Sequence, residues 1–80
     1  MTAHNLKIHP EWYKAVASGT QTFELRFNDR NYHVGDTLRL REYVSHTQTY
    51  TGRETTVTVT YILENIVGLQ NGYCILGITP

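Results

Sequence analysis

Residues 54 to 63 read Glu-Thr-Thr-Val-Thr-Val-Thr-Tyr-Ile-Leu. Threonine and valine are strand formers, because branched side chains pack well on a pleated surface. Strict alternation places Val57, Val59 and Tyr61 on one face and Thr56, Thr58 and Thr60 on the other. A strand this long needs partners on both edges, since an open edge invites other chains to pair with it. The chain has only eighty residues to supply them. One domain is all that length supports, and a single core of this size gives ~3–5 kcal/mol without further help. A small, strongly bent sheet or a closed barrel meets both demands.

The remaining segments supply the partners. Asn5 to His9 alternate and read as a first strand. Pro10 suits the first turn of a helix, where its missing N–H costs nothing, and Glu11 suits the positive end of the helix dipole. Trp12, Tyr13, Val16 and Ala17 form one apolar stripe. Ser18-Gly19 closes it, with Gly19 as the left-handed residue past the end. The spacing therefore predicts a helix over 10–18, too short to stand alone. Thr22 to Phe27 and Thr37 to Tyr43 alternate as further strands. In the first, Phe23, Leu25 and Phe27 oppose Thr22, Glu24 and Arg26. In the second, Leu38 and Leu40 are inward and Arg39 and Arg41 outward. Turns fall at Asn28-Asp29-Arg30-Asn31, Gly35-Asp36 and Asn71-Gly72. Tyr73 to Ile78 is the last strand. The order is β-α-β-β-β-β, an α+β chain that is mainly β. The aromatics Phe23, Phe27 and Trp12 are expected in the core, whereas Tyr32, Tyr43 and Tyr50 lie in or beside loops as exposed platforms.

Charge excludes some functions. Seven basic and seven acidic residues cancel, so no bulk attraction to nucleic acid or membrane follows. Residues 26 to 53 nevertheless hold five arginines against Asp29, Asp36 and Glu42. Arginine offers a planar fork that fits phosphates and base edges. The lone cysteine, Cys74, sits in an apolar run, rules out an internal disulfide and reads as a buried thiol. The four histidines show no paired ligand spacing, and neither a metal nor a cofactor is expected. No leader and no membrane span is visible, which points to the cytoplasm.

Gly19-Thr20-Gln21-Thr22-Phe23-Glu24-Leu25-Arg26 resembles the G-x-K-x-x-E-x-R signature of ASCH domains, a branch of the PUA-like superfamily. Five ordered blocks, "LKIHPEWYKAVASG", "FELRFNDRNYHVGDTLRLREY", "YTGRE", "VTYIL" and "GLQNGYCILGI", are similar to the ASCH-related family DUF3850. The resemblance implies a PUA-like pseudo-barrel with a cleft between the end of the helix and the barrel mouth. In the superfamily that cleft is thought to take RNA or a modified nucleobase.

On that reading Gln21, Glu24, Arg26 and Arg30 are the expected ligand contacts, with Arg41 further out. Arg26 is suited to gripping a phosphate in two parallel hydrogen bonds, and Glu24 to accepting a base amino group. Some relatives are reported to hydrolyse acylated cytidine with a lysine where this chain has Gln21. A glutamine amide only donates and accepts hydrogen bonds, so binding without catalysis is the expectation. The alternatives are that amidohydrolase activity and a phage-encoded module that binds a protein. The chain is expected to be a monomer.

Overall fold

The computed structural model describes residues 1–80. Its elements run β1 (Ala3–Ile8), α1 (Pro10–Ala17), β2 (Phe23–Phe27), β3 (Thr37–Val44), β4 (Thr49–Glu64) and β5 (Tyr73–Thr79). This is the expected order. The largest difference in extent is β4, which begins at Thr49 and spans 16 residues. The polar segment before Glu54 is thus strand as well, paired as Tyr43 to Tyr50 and Val44 to Thr49.

The strands form one five-stranded sheet in the order β1-β3-β4-β5-β2, curled into a half-barrel. Only β1 and β3 are parallel, and α1 lies in the crossover between them. The long strand does the work its composition suggests. Its first half pairs with β3 and its second half with β5.

A register shift between Val59 and Tyr61 separates the two halves. The bulge reverses the alternation, because one extra residue flips every later side chain to the other face. Val57 and Val59 are buried as expected, but Tyr61 is 64% exposed and Ile62 turns in against the core instead.

The core fills the concave side. Leu6, Ile8, Leu38, Leu40, Val57, Val59, Cys74, Leu76 and Ile78 supply it from four strands, with Val16 from α1 and Tyr32 from the β2–β3 connection. Tyr32 is 4% exposed, which corrects the expectation of a surface platform. Its ring meets the edge of His4 at 4.9 Å between centroids.

Helix α1 has Pro10 in its first turn and Glu11 beside it. It ends at Ser18, and Gly19 takes φ +82°, the left-handed conformation expected past a helix end. Its stripe is narrower than the sequence suggests. Val16 is buried and Tyr13 packs partly on the core, but Trp12 is 50% exposed.

Strand β2 overturns the simplest rule. Phe23, Leu25 and Phe27 are half exposed on the convex side, whereas Glu24 is buried on the concave side. Opposite residues on paired strands share a face, and the partners of Glu24 and Arg26 are the fully buried Leu76 and Cys74. Both aromatics of the strand therefore leave the core and both charged residues enter its rim.

Candidate functional site

Strands β1 and β2 are the two edges of the half-barrel, and they approach each other across an open seam. Ile78 N–H donates to Thr22 O and Asn28 N–H to Gly72 O. In an antiparallel pair bonded and unbonded positions alternate. Even-numbered residues of β2 therefore bond β5, and the peptide groups of Phe23, Leu25 and Phe27 face the free edge. Gln21 Nε2 caps Phe23 O at 2.7 Å and Asp29 N–H takes Phe27 O at 2.9 Å. The Leu25 peptide is left open.

Two arginines bridge the seam. Arg26 donates through Nη2 to Lys7 O at 2.6 Å, and Arg30 through Nη1 to Asn5 O at 3.2 Å. Both carbonyls belong to the outer edge of β1. These guanidinium groups thus stand where a sixth strand would close the barrel.

A cleft of about 620 Å³ opens beside this seam. Lys7, Ile8 and His9 line it from the end of β1, and Trp12 from the first turn of α1. Gln21 enters from the turn after the helix, Phe23 to Arg26 from β2, and Tyr43 and Ser45 from the end of β3. His9 meets Trp12 edge-on at 5.0 Å. Lys7 Nζ lies 4.4 Å from the centre of the Tyr43 ring. The walls are therefore aromatic, with a cation at one side.

Glu24 lies at the floor. It is 5% exposed, and its Oε2 accepts from Arg26 Nε at 2.9 Å. Burial pushes its pKa up, against the opposing pull of the Arg26 charge and hydrogen bond. No fully buried side-chain oxygen in the protein lacks a partner. Oε1 accepts no hydrogen bond from the protein, and the residue lines the cleft. The floor thus offers one carboxylate oxygen already fixed by Arg26 and one available to a ligand.

The five sequence candidates divide. Gln21, Glu24 and Arg26 line the cleft. Arg30 does not, being held by Asn5 O and lying 3.8 Å from Asp29. Arg41 does not either: its guanidinium stacks 4.0 Å above Tyr50 and lies 3.7 Å from Glu54. The cleft also sits elsewhere than expected. It opens beside the start of α1, and the end of α1 borders only a hollow of about 90 Å³ that includes Gly19 and Gln21.

Lys7, His9 and Trp12 were not among the candidates. Their signal was faint. Lys7 and His9 share the face of β1 opposite Leu6 and Ile8, and Trp12 flanks the helix stripe. Tyr43, expected as an exposed platform, lines the cleft.

Two further carboxylates are buried away from it. Glu42 accepts from Thr51 Oγ1 at 2.6 Å and from Arg53 at 2.8 and 3.0 Å. Those bonds, Thr51 first, hold its pKa below the usual carboxylate value. Asp36 binds the N-terminal strand and its own turn. No three His, Cys, Asp or Glu side chains converge as a metal site. No helix is long and apolar enough to cross a membrane.

Fold and site together define a small half-barrel domain whose one substantial cleft joins aromatic walls to a buried carboxylate. The chain belongs to the family described as Domain of unknown function (DUF3850), whose profile matches residues 3–78. It is similar to an uncharacterized 12.9 kDa protein in the GpA 3′ region of Escherichia phage P2, with 36% identity over 61 residues. That stretch is 76% of this chain and 54% of the phage protein, so the chain spans about half the length of the relative.

Proposed function

We propose that the cleft binds a nucleobase, presented by single-stranded RNA or by a free nucleotide, within an ASCH-type PUA-like fold. One observation carries the reading: the buried Glu24 carboxylate lines an aromatic-walled cleft, with Oε2 held by Arg26 and Oε1 free of any hydrogen bond from the protein. A flat ring with an amino group suits that arrangement. Its face lies on Trp12 or Tyr43, where stacking contributes ~1–3 kcal/mol per base. Its amino group donates to Glu24 Oε1. The Leu25 peptide and the Gln21 amide add donors and acceptors along the ring edge. Lys7 is the cleft cation left for a phosphate, since Arg26 and Arg30 are engaged with β1.

Lys7 also favours a second reading. It brings to the cleft the ammonium that Gln21 does not supply, so hydrolysis of an acylated cytidine remains the alternative.

Titration of Trp12 fluorescence with nucleosides, nucleotides, acylated cytidine and short single-stranded RNA tests both. Base-dependent quenching is expected, and Glu24→Gln is expected to weaken it by roughly 1–3 kcal/mol, the cost of a lost charged hydrogen bond. RNA affinity is expected to fall by ~0.7 log units per log unit of salt for each phosphate neutralised. No response from any member of the panel at low salt overturns the binding reading. An acylated cytidine that stays intact during the titration removes the alternative.

A further inference from the structure

The convex face of the β2–β5–β4 half of the sheet carries no charged side chain. Register fixes its content. Phe23 and Tyr61 flank Gly77, Leu25 and Leu63 flank Ile75, and Phe27 lies beside Tyr73. Phe23, Leu25, Phe27 and Tyr61 are exposed by 50, 56, 53 and 64%. No helix or loop covers them: α1 packs against β3 and β4 from the core side, through Val16. The convex face of the other half of the sheet is charged instead, with Arg39 and Arg41 paired to Glu54.

We propose that this apolar face joins two copies of the chain, sheet against sheet, around a two-fold axis. Area favours that occupant. The four most exposed side chains present roughly 400–500 Å² at ordinary residue sizes. Leu63, Ile75 and Tyr73 add their half-buried surfaces. Val67 is fully exposed in the β4–β5 connection, at the end of the sheet where Phe27 and Tyr73 lie. Together they approach the ~800 Å² per partner that a stable interface needs. A monomer seldom leaves so continuous a patch open.

Chemistry favours a like partner. A charge-free, aromatic-rich face has no ionic pattern with which to select a different protein, and interfaces between identical chains are the more apolar ones. A two-fold needs only that the patch fit itself. Two such faces pack ~10 Å apart, as in any pair of stacked sheets.

Sedimentation velocity of the full chain, from low micromolar to submillimolar, tests the proposal. A dimer that grows with concentration is expected. Tyr61→Arg places a charge at the most exposed large hydrophobic side chain of the three strands and is expected to weaken association by at least roughly tenfold, as for an aromatic anchor. Neither Tyr61 nor Val67 lines the cleft, whereas Phe23 and Leu25 belong to both surfaces, so cleft titrations are compared at protein concentrations below dimerisation, where they and the far-ultraviolet dichroism are expected to stay unchanged. Val67→Asp, at an exposed loop position, provides a second variant that does not burden the fold and is expected to weaken the dimer in the same direction. A monomer at every concentration overturns the proposal, as does a dimer indifferent to both substitutions. Sedimentation of a monomer with lipid vesicles would instead give the face to a membrane.

Discussion

Asp36 ties the N-terminal strand to its own turn through one side chain and holds β4 through its backbone. Its Oδ1 accepts from Thr2 N–H at 3.0 Å, and its Oδ2 lies 2.9 Å from His4 Nε2 and accepts from His33 N–H at 3.0 Å. Its own backbone carbonyl takes Val59 N–H. The sequence marks Gly35-Asp36 as a turn and gives no sign that the carboxylate is 2% exposed. The His4 hydrogen bond, then that of Thr2, holds its pKa well below the usual carboxylate range. A depressed carboxylate stabilises the fold above its unfolded value of ~4, and that contribution is lost as pH falls further. Asp36→Asn is therefore expected to lower the melting temperature at neutral pH. The gap to the parent is expected to narrow as pH drops below ~4. Melting curves across pH check it. Glu24 has the opposite sign: its raised pKa adds stability at low pH and withdraws it as pH rises through the raised value.

At the scale of elements, the end of β2 meets the start of β5 at Gly72. That residue has φ +88°, and a Cβ there would stand 2.7 Å from Phe27 Cε1. Gly72→Ala thus combines backbone strain with a collision and is expected to cost ~2–4 kcal/mol. Gly52 has φ +93° but open space around it, so Gly52→Ala is expected to cost only the strain, ~1–2 kcal/mol. Urea unfolding of both variants reads the difference. Asn71-Gly72 was legible as a turn from its dipeptide alone, but the close approach of Phe27 was not. The reason lies in β2. Alternation shows that a strand has two unlike faces, and Phe-Glu-Leu-Arg-Phe shows it well. Which face turns inward depends on what covers each side. At this edge strand the concave side opens into the cleft, so Glu24 and Arg26 fit there. The bulge after Val59 hid Tyr61 in the same way, because nothing in Thr-Val-Thr-Tyr announces an extra residue.

Across the whole molecule, the order of elements was readable from periodicity and turns, whereas the seam was not. Curvature depends on the sum of strand twists and the β4 bulge, and no short segment encodes where two distant edges meet. Arg26 looked like a ligand residue because it shares a face with Glu24. It does line the cleft, and it also donates through Nη2 to Lys7 O across the seam between β2 and β1. The central strands β3, β4 and β5 are paired on both sides, while β1 and β2 each have one paired neighbour and an arginine bridge. Local opening follows the weakest connection, so the seam opens before the rest. Arg26→Ala removes one charged hydrogen bond to the seam and leaves Glu24 without its cation, which is expected to cost ~1–3 kcal/mol. Exchange of the hydrogen-bonded amides of the edge strands, β1 on β3 and β2 on β5, is expected to accelerate more than that of amides within β4. A uniform acceleration across all five strands would mean that the arginine stabilises the fold globally and that the seam does not open by itself. A ligand that spans the cleft touches both edges, and its binding is expected to slow exchange along these two edge strands, joining the mobility of the seam to the occupancy of the site.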